Sequence, residues 1–404
     1  MSKSITDKSR IEEVLTRGVE RVYPNEDFLR KLLSSGKRVT VYLGIDPTGP
    51  SLHLGHAIPL MKLAQLQALG HKIILLIGDF TALAGDPDKT EVRKRLTKKE
   101  ILANCKSYKK QAESILKFTG ANPAEYRFNS AWLGKLTYAD VIELGSHMTV
   151  QRLLERDLFQ RRIKSGTPLY VHEMQYPLMQ GYDSVAMNVD GEVGGNDQTF
   201  NMLTGRDLMK DYLKKEKFVI AMKLLEDTHG KKMGKTEGNM VTLTDSPKEM
   251  FGKIMSWTDG MIIPGFELCT ILPANDIRDR AVRMKSGTLN PRDAKAVLAR
   301  AIVAQYHGEK QAVAAEQVFV KTFQKHETPH DIQTMTLAIW KSWGPTFVDR
   351  LVGARLVTSK SEARRLIEQH GIRVDGTIVS VADRINDHAG MIITVGKRKF
   401  LKIV

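Results

Sequence analysis

Two apolar runs separated by one helical stretch constrain this chain most. Val39-Thr40-Val41-Tyr42-Leu43-Gly44-Ile45 reads as a buried strand, and Ile73 to Ile77 as a second. Asp46-Pro47-Thr48-Gly49-Pro50 breaks the first. A helix is predicted from about Gly55 to Leu69, with Leu60, Leu63 and Ala64 on one stripe and Leu66 beside it; Gln67 interrupts that stripe one turn on. Strand, helix and strand in this order predict an α/β fold, with a parallel sheet and a right-handed crossover. Such sheets bind ligands beyond the carboxyl ends of their strands. Asp46, His53 and Gly78-Asp79 all fall there.

Further on, a helix is predicted from Tyr170 to about Met187, a turn at Gly191 to Gly195, and a helix from about Asp197. Phe218 to Leu225 is expected as the last strand of the sheet, and Lys248 to Gln324 as mostly helical. Residues 325–333 have linker composition. The tail, 347–404, should hold a helix at Ser361 to Gln369 and short strands around a turn at Asp375-Gly376. It carries eleven Lys/Arg against six Asp/Glu, including Arg364, Arg365, Lys397, Arg398, Lys399 and Lys402. The 404 residues suit two or three domains, and the net charge of +15 favours a polyanionic partner, nucleic acid first. Another basic stretch, Lys94, Arg95, Lys98, Lys99, Lys106, Lys109 and Lys110, reads as a solvated helix face, with contact to an RNA backbone as the alternative. No apolar run approaches the ~20 residues that span a bilayer, and Met1 to Arg10 lacks a signal-peptide core. Two cysteines, Cys105 and Cys269, give no disulfide framework and no zinc cluster, which fits a reducing cytoplasm.

Two motifs carry chemistry. His53-Leu54-Gly55-His56 places two imidazoles three residues apart at a helix start, where the helix dipole adds partial positive charge and glycine leaves room for a nucleotide. That arrangement suits the charge that builds on a pentacoordinate phosphate. Lys232-Met233-Gly234-Lys235-Thr236 sits between Gly230 and Gly238, a loop whose ammonium groups can close over β- and γ-phosphates. Either motif alone has a bland reading, a chance histidine pair or a surface loop. Together they form a two-sided polyphosphate clamp. Tyr176, Gln180 and Asp183, four and three apart, share one helix face suited to an ammonium and a hydroxyl, or form a plain exposed polar stripe. Gly194-Gly195-Asn196-Asp197-Gln198 is a glycine turn that brings backbone to a ligand or caps a helix.

These residues resemble the bacterial-type tyrosyl-tRNA synthetases, class I aminoacyl-tRNA synthetases. The matching stretches are 42–48, 51–56, Gly85-Asp86-Pro87, 176–183, 194–198 and 232–236; the tail resembles the RNA-binding domain of ribosomal small-subunit protein four. The resemblance implies a Rossmann-like parallel-sheet catalytic domain over 1–230, with a helical dimer-interface insertion near 120–170. A mobile KMGKT loop and α-helical tRNA-binding domain over 231–330 and a small α+β RNA-binding domain over 340–404 would follow. It implies that Tyr42 and Asp183 bond the tyrosine phenol, that Tyr176, Gln180 and Asp86 hold its ammonium, and that Asp46 and Gln198 lie close by. Asp197 would hold the ribose, and His53, Gly55, His56, Lys232, Lys235 and Thr236 would serve ATP and its transition state. Thr48, also on the ATP side, Thr81 and Asn129 match positions near the site. The loop after Pro87 is one residue shorter than in many relatives, so either Lys89 or Arg93 meets pyrophosphate. Gly234 and Thr236 stand where the class signature has serines.

The activity implied is ATP-dependent activation of L-tyrosine and transfer to the 3′ end of tRNA(Tyr), with Mg2+ accompanying ATP, no bound zinc, a homodimer, no membrane and a cytoplasmic location. The rivals are a tryptophanyl-tRNA synthetase, disfavoured by Tyr42 with Asp183, a nucleotidylyltransferase using the histidine motif, and a non-catalytic RNA-binding paralogue.

Overall fold

Six strands make the central sheet of the computed structural model, which describes residues 4–86, 96–226, 240–323, 333–380, 385–396 and 399–404. They are β1 (Val19–Tyr23), β2 (Thr40–Ile45), β3 (Lys72–Ile77), β4 (Glu125–Phe128), β5 (Gly191–Gly195) and β6 (Phe218–Met222). Their spatial order is β1-β6-β5-β2-β3-β4. β2 to β6 pair in parallel, and β1 closes one edge antiparallel to β6. The chain moves from β2 to β3 and β4 on one side, and β5 and β6 lie on the other. The order therefore reverses beside β2, the position at which open α/β sheets leave a crevice.

The expected strands at 39–45 and 73–77 and the helix α1 (Leu54–Ala68) are present. β3 and β6 are almost wholly buried, as both-sided cover of a parallel sheet requires. Gln67, the polar break in the helix stripe, is buried and bracketed: its amide donates to the carbonyls of Lys117 (2.7 Å) and Asn122 (2.9 Å) and accepts from Lys117 N (3.0 Å). The stretch at Gly191 to Gly195 corrects the expectation of a turn, for it is a central strand. Its glycines admit neighbours too close for any side chain, the Phe218 ring on Gly191 and Met202 Sδ, 2.9 Å from where a Cβ of Gly194 would stand. Gly194 and Gly195 thus end a strand; a single 3-10 turn, Asn196–Gln198, leads to the helix from Thr199. β6 ends at Met222, not Leu225, and in space it is followed by β1.

Helices α2 (Lys98–Cys105) and α3 (Tyr108–Ala112) support the segment after β2. Asn104 donates to Pro47 O (2.9 Å), Tyr108 to Gly49 O (2.5 Å), and Leu52 N to Gln111 (2.7 Å). Lys98, Lys99, Lys106, Lys109 and Lys110 lie on their exposed sides. Helices α4 (Asp157–Lys164), α5 (Val171–Met187) and α6 (Thr199–Leu213) follow. A Cβ on Gly205 of α6 would stand 3.2 Å from Gly181 Cα of α5, so these two helices touch backbone to backbone.

Helical structure fills most of 247–323, as expected. The helix Pro247–Met255 starts with a Ser246–Glu249 capping box and Pro at its first turn, and Pro291–His307 starts on Asn290. Two compact units result, Met1–Val313 and Ala314–Val404. The second holds a five-stranded sheet, ordered β7 (Gln333–Met335), β11 (Lys399–Ile403), β10 (Ile392–Val395), β8 (Ile372–Val374) and β9 (Thr377–Ile378). Asp375 (φ 49°) and Gly376 (φ 80°) make the expected turn, both left-handed as a two-residue hairpin needs. The helix Lys360–Glu368 exposes Arg364 and Arg365. The expected linker, and Lys397 and Arg398, lie largely or wholly outside the described residues.

Candidate active site

The two histidines form the amino end of α1. Gly55 N donates to His53 Nδ1 (3.1 Å) and His53 N donates to His56 Nδ1 (3.2 Å), with the ring centroids 3.9 Å apart. With both Nδ1 atoms accepting, the neutral rings carry their protons on Nε2. Burial holds His53 down to about 4; burial, then the neighbouring His53, holds His56 well below its usual range. The pair therefore offers two uncharged N–H donors beside the positive end of a helix dipole. A Cβ at Gly55 would lie 2.9 Å from the His53 ring, so glycine is needed for the stacking itself.

Lys232, Lys235 and Thr236 lie outside the described residues, as do Lys89 and Arg93. The segments on either side of 227–239 are placed, and both reach this crevice. Leu224 stands 3.0 Å from where a Cβ of Gly195 would be, at the end of β5. On the other side, Leu54 N donates to Val241 O (3.0 Å), Leu243 N to Leu52 O (2.8 Å), and Thr244 to the Ser51 hydroxyl (3.1 Å).

The polar face of α5 turns inward: Tyr176, Asp183 and Ser184 are buried, so it is no solvated stripe. Asp183 accepts from Trp132 Nε1 (2.7 Å) and Asn129 Nδ2 (3.2 Å). Asn129 also donates to Thr81 Oγ1 (3.1 Å), and Thr81 donates to Asp46 Oδ1 (2.8 Å). Tyr176 donates to the other Asp46 oxygen (2.9 Å). One network thus joins Asp183, Asn129, Thr81, Asp46 and Tyr176. Gly78 makes it fit, since any Cβ there would overlap the Asp46 carboxylate. Burial, together with the charges of Glu192 and Asp46, raises the Asp183 carboxyl well above its usual range against the pull of its two donors. Tyr42 is buried and raised likewise, by burial and then by Glu192 and Asp183; its hydroxyl is 2.9 Å from Ser184 Oγ.

Asp86 accepts from Gln198 (2.8 Å) and from Arg156 (2.7 Å), which leads into α4. Gln180 donates to Glu192 on β5 (3.1 Å), and Glu192 forms a fully buried ion pair with Lys217. Asp197 is exposed at the end of β5, and Thr48 is exposed after β2, its N–H on Asp46 O (2.8 Å). Trp132, Ser184, Glu192, Lys217 and Arg156 were not foreseen. A lysine heading the apolar run Phe218–Met222 was the one available signal, because a charge there must be buried and paired. Arg156 carries no local signature at all.

A family model described as tRNA synthetases class I (W and Y) matches residues 34–324, and an S4 domain model matches 348–393. The chain belongs to the class I tRNA synthetases of this W and Y family. Among curated members, the tyrosine–tRNA ligase of Moorella thermoacetica is 45% identical over 396 residues, 96% of this chain and 94% of the relative. That of Thermotoga maritima is 44% identical, with 97% and 96% covered. Among solved synthetases, a C-terminally truncated mitochondrial tyrosyl-tRNA synthetase of Coccidioides posadasii matches at TM-score 0.61 and 27% identity, over 77% of this chain and 90% of that one. The Archaeoglobus fulgidus enzyme, solved with L-tyrosine, shares the fold at TM-score 0.62 and 23% identity, over 77% and 100%.

Proposed function

We infer that this chain is a tyrosine–tRNA ligase: it activates L-tyrosine with ATP to tyrosyl-adenylate and pyrophosphate, then transfers tyrosine to the 3′ end of tRNA(Tyr). The observation that carries the tyrosine reading is the buried pair of hydroxyl-recognising groups, Tyr42 and Asp183, held by Ser184, Trp132 and Asn129. A buried acceptor and hydroxyl left unmatched by a phenyl or indole ring cost binding, which favours a phenol.

In this reading, Tyr176, Gln180 and Asp86 hold the substrate ammonium, with Asp46 and Gln198 fixing them. The tyrosine carboxylate is already ionised, so no general base is needed. It attacks the α-phosphate in line, and the rate comes from positioning and from donors aimed at the charge that develops. His53 and His56 supply two such donors as neutral Nε2–H groups. Lys232, Lys235 and Thr236 close over the phosphates from a loop whose following segment pairs with the histidine motif and whose preceding segment reaches the end of β5. Thr48 and Gly55 line the ATP side, Asp197 takes the ribose, and Lys89 or Arg93 takes pyrophosphate. Mg2+ enters with ATP.

The division into a catalytic domain, a helical tRNA-binding region and an RNA-binding tail assigns the second step. Arg364, Arg365, Lys399 and Lys402 are exposed in the tail and suit backbone phosphates. A homodimer is favoured by exposed apolar side chains in the segment assigned to the interface, including Tyr138 (81%), Ile142 and Val150. No helix among the described residues is long and apolar enough to cross a membrane; a cytoplasmic location follows from the tRNA partner. Charging assays with labelled tyrosine and tryptophan test the reading. Tyrosine should become attached to tRNA in an ATP-dependent manner and tryptophan should not; the reverse would make the chain a tryptophan enzyme.

A further inference from the structure

Behind the phenol end of the pocket lies an ion pair that the two-step reaction does not call for. Lys217 has no exposed surface. Its Nζ contacts the Glu192 carboxylate and, at 2.9 Å, Ser184 Oγ. Gly205 leaves it room, for a Cβ there would stand 2.7 Å from Nζ. Ser184 Oγ has two hydrogen-bond partners among the described residues, Lys217 Nζ and Tyr42 Oη, and Ser184 is fully buried.

An ammonium carries three protons and no lone pair, so it can only donate. Ser184 therefore accepts from Lys217, and its own proton has Tyr42 Oη as its acceptor. The Tyr42 oxygen is occupied from behind, which leaves its proton for a group in front. Behind the ring, the competitor for that proton is Glu192, which acts on Tyr42 by charge and by side-chain hydrogen bonding; Asp183 acts on it by charge from the substrate side. Each Glu192 oxygen already accepts from one partner, Lys217 or Gln180 Nε2, and the ammonium of Lys217 offsets the charge that would draw the Tyr42 proton. The contact with Glu192 turns the Gln180 amide so that its carbonyl oxygen is the end left for a cation.

We propose that Lys217 is a positioning residue that fixes Tyr42 as a hydrogen donor through Ser184 and Gln180 as an acceptor through Glu192. On the tyrosine-ligase reading, which this inference extends, the substrate hydroxyl then meets one donor, Tyr42, and one acceptor, Asp183. A phenol satisfies both. Two acceptors, the arrangement expected once Lys217 is lost and Ser184 Oγ is free to accept the Tyr42 proton, would compete for a single hydrogen. The polarity of the pocket is thus set from a buried charge that touches no substrate.

Steady-state pyrophosphate exchange with tyrosine and with phenylalanine tests this in the full-length protein. The variants are Ser184→Ala, Ser184→Thr and the paired Lys217→Met with Glu192→Gln, which leaves no buried charge unpaired. Wild-type exchange with tyrosine, measured alongside, reports separately on the ligase reading. Ser184→Ala should raise KM for tyrosine by about tenfold, the weight of one directed hydrogen bond. It should leave kcat and the phenylalanine reaction nearly unchanged, so tyrosine preference falls by the same factor. Ser184→Thr should keep the preference, and the Lys217/Glu192 variant should lose it. Adding Ser184→Ala to that variant should cost nothing more, since both act on one relay. Unchanged preference in Ser184→Ala, or an equal fall for both amino acids, would overturn the proposal.

Discussion

At the scale of single residues, chemistry and environment separate cleanly. The histidine motif, Asp183 and Gln180 were legible because each belongs to a short motif with its own chemical logic, whereas Tyr42 entered only through the family resemblance. Their partners were not, because Trp132, Arg156, Glu192 and Lys217 come from distant segments and only the fold brings them in. The protonation states were equally hidden. His53 is held down to about 4 by burial, so above its ordinary value of about 6.5 both folded and unfolded forms are neutral. As the pH falls from about 6.5 toward 4, the unfolded chain takes up a proton that the folded site refuses, and this group costs stability across that window. His71, held down to about 4 by burial and by Arg38, adds in the same direction. Proton resonances of both rings should titrate below pH 5; midpoints near 6.5 would contradict the buried, Nε2-protonated form for His53. His56→Ala removes one donor to the developing phosphate charge. Adenylate formation in single-turnover kinetics should slow by about 100-fold with tyrosine affinity nearly intact; equal losses in both would place His56 elsewhere. Asp183→Ala should collapse the preference for tyrosine over phenylalanine, and an unchanged ratio would defeat its assignment to the phenol.

At the scale of elements, the sequence pattern located the β2–α1–β3 unit within a residue or two because apolar runs and the break at Asp46 to Pro50 mark it. It misread Gly191–Gly195 because glycines usually punctuate turns, whereas here they let Phe218 and Met202 pack onto a central strand. The edge strands β1 and β4 were missed for a related reason: VERVY and EYRF are short and half polar, and pairing with neighbours makes them strands. The crossing of α5 and α6 depends on Gly181 and Gly205. Gly205→Ala would press on Lys217, on Ser184 Oγ (2.9 Å) and on the Gly181 backbone (3.2 Å). We expect about 1–3 kcal/mol of lost stability and weaker tyrosine binding, read by denaturant unfolding and by equilibrium binding. Wild-type values for both would mean that the crossing has slack.

At the scale of the molecule, the sheet order places the network of Asp183, Asn129, Thr81, Asp46 and Tyr176, the Asp86 carboxylate and the histidine pair along the carboxyl ends of β2, β3 and β5. That convergence was legible in outline from the strand–helix–strand pattern, while the antiparallel edge and the split at Val313/Ala314 were not. The C-terminal unit has its own core around Trp340, Leu351, Ile393 and Leu401. Removing residues 347–404 should leave adenylate formation and abolish charging of tRNA, and full charging by the shortened chain would give the tail another role. The account stands on one claim, that a phenolic amino acid and ATP react in this crevice. Amino-acid-dependent exchange of labelled pyrophosphate into ATP tests it most directly, without tRNA, using tyrosine, tryptophan and phenylalanine in turn. The account predicts rapid exchange with tyrosine and little with the other two; no exchange with tyrosine, or faster exchange with tryptophan, would contradict it.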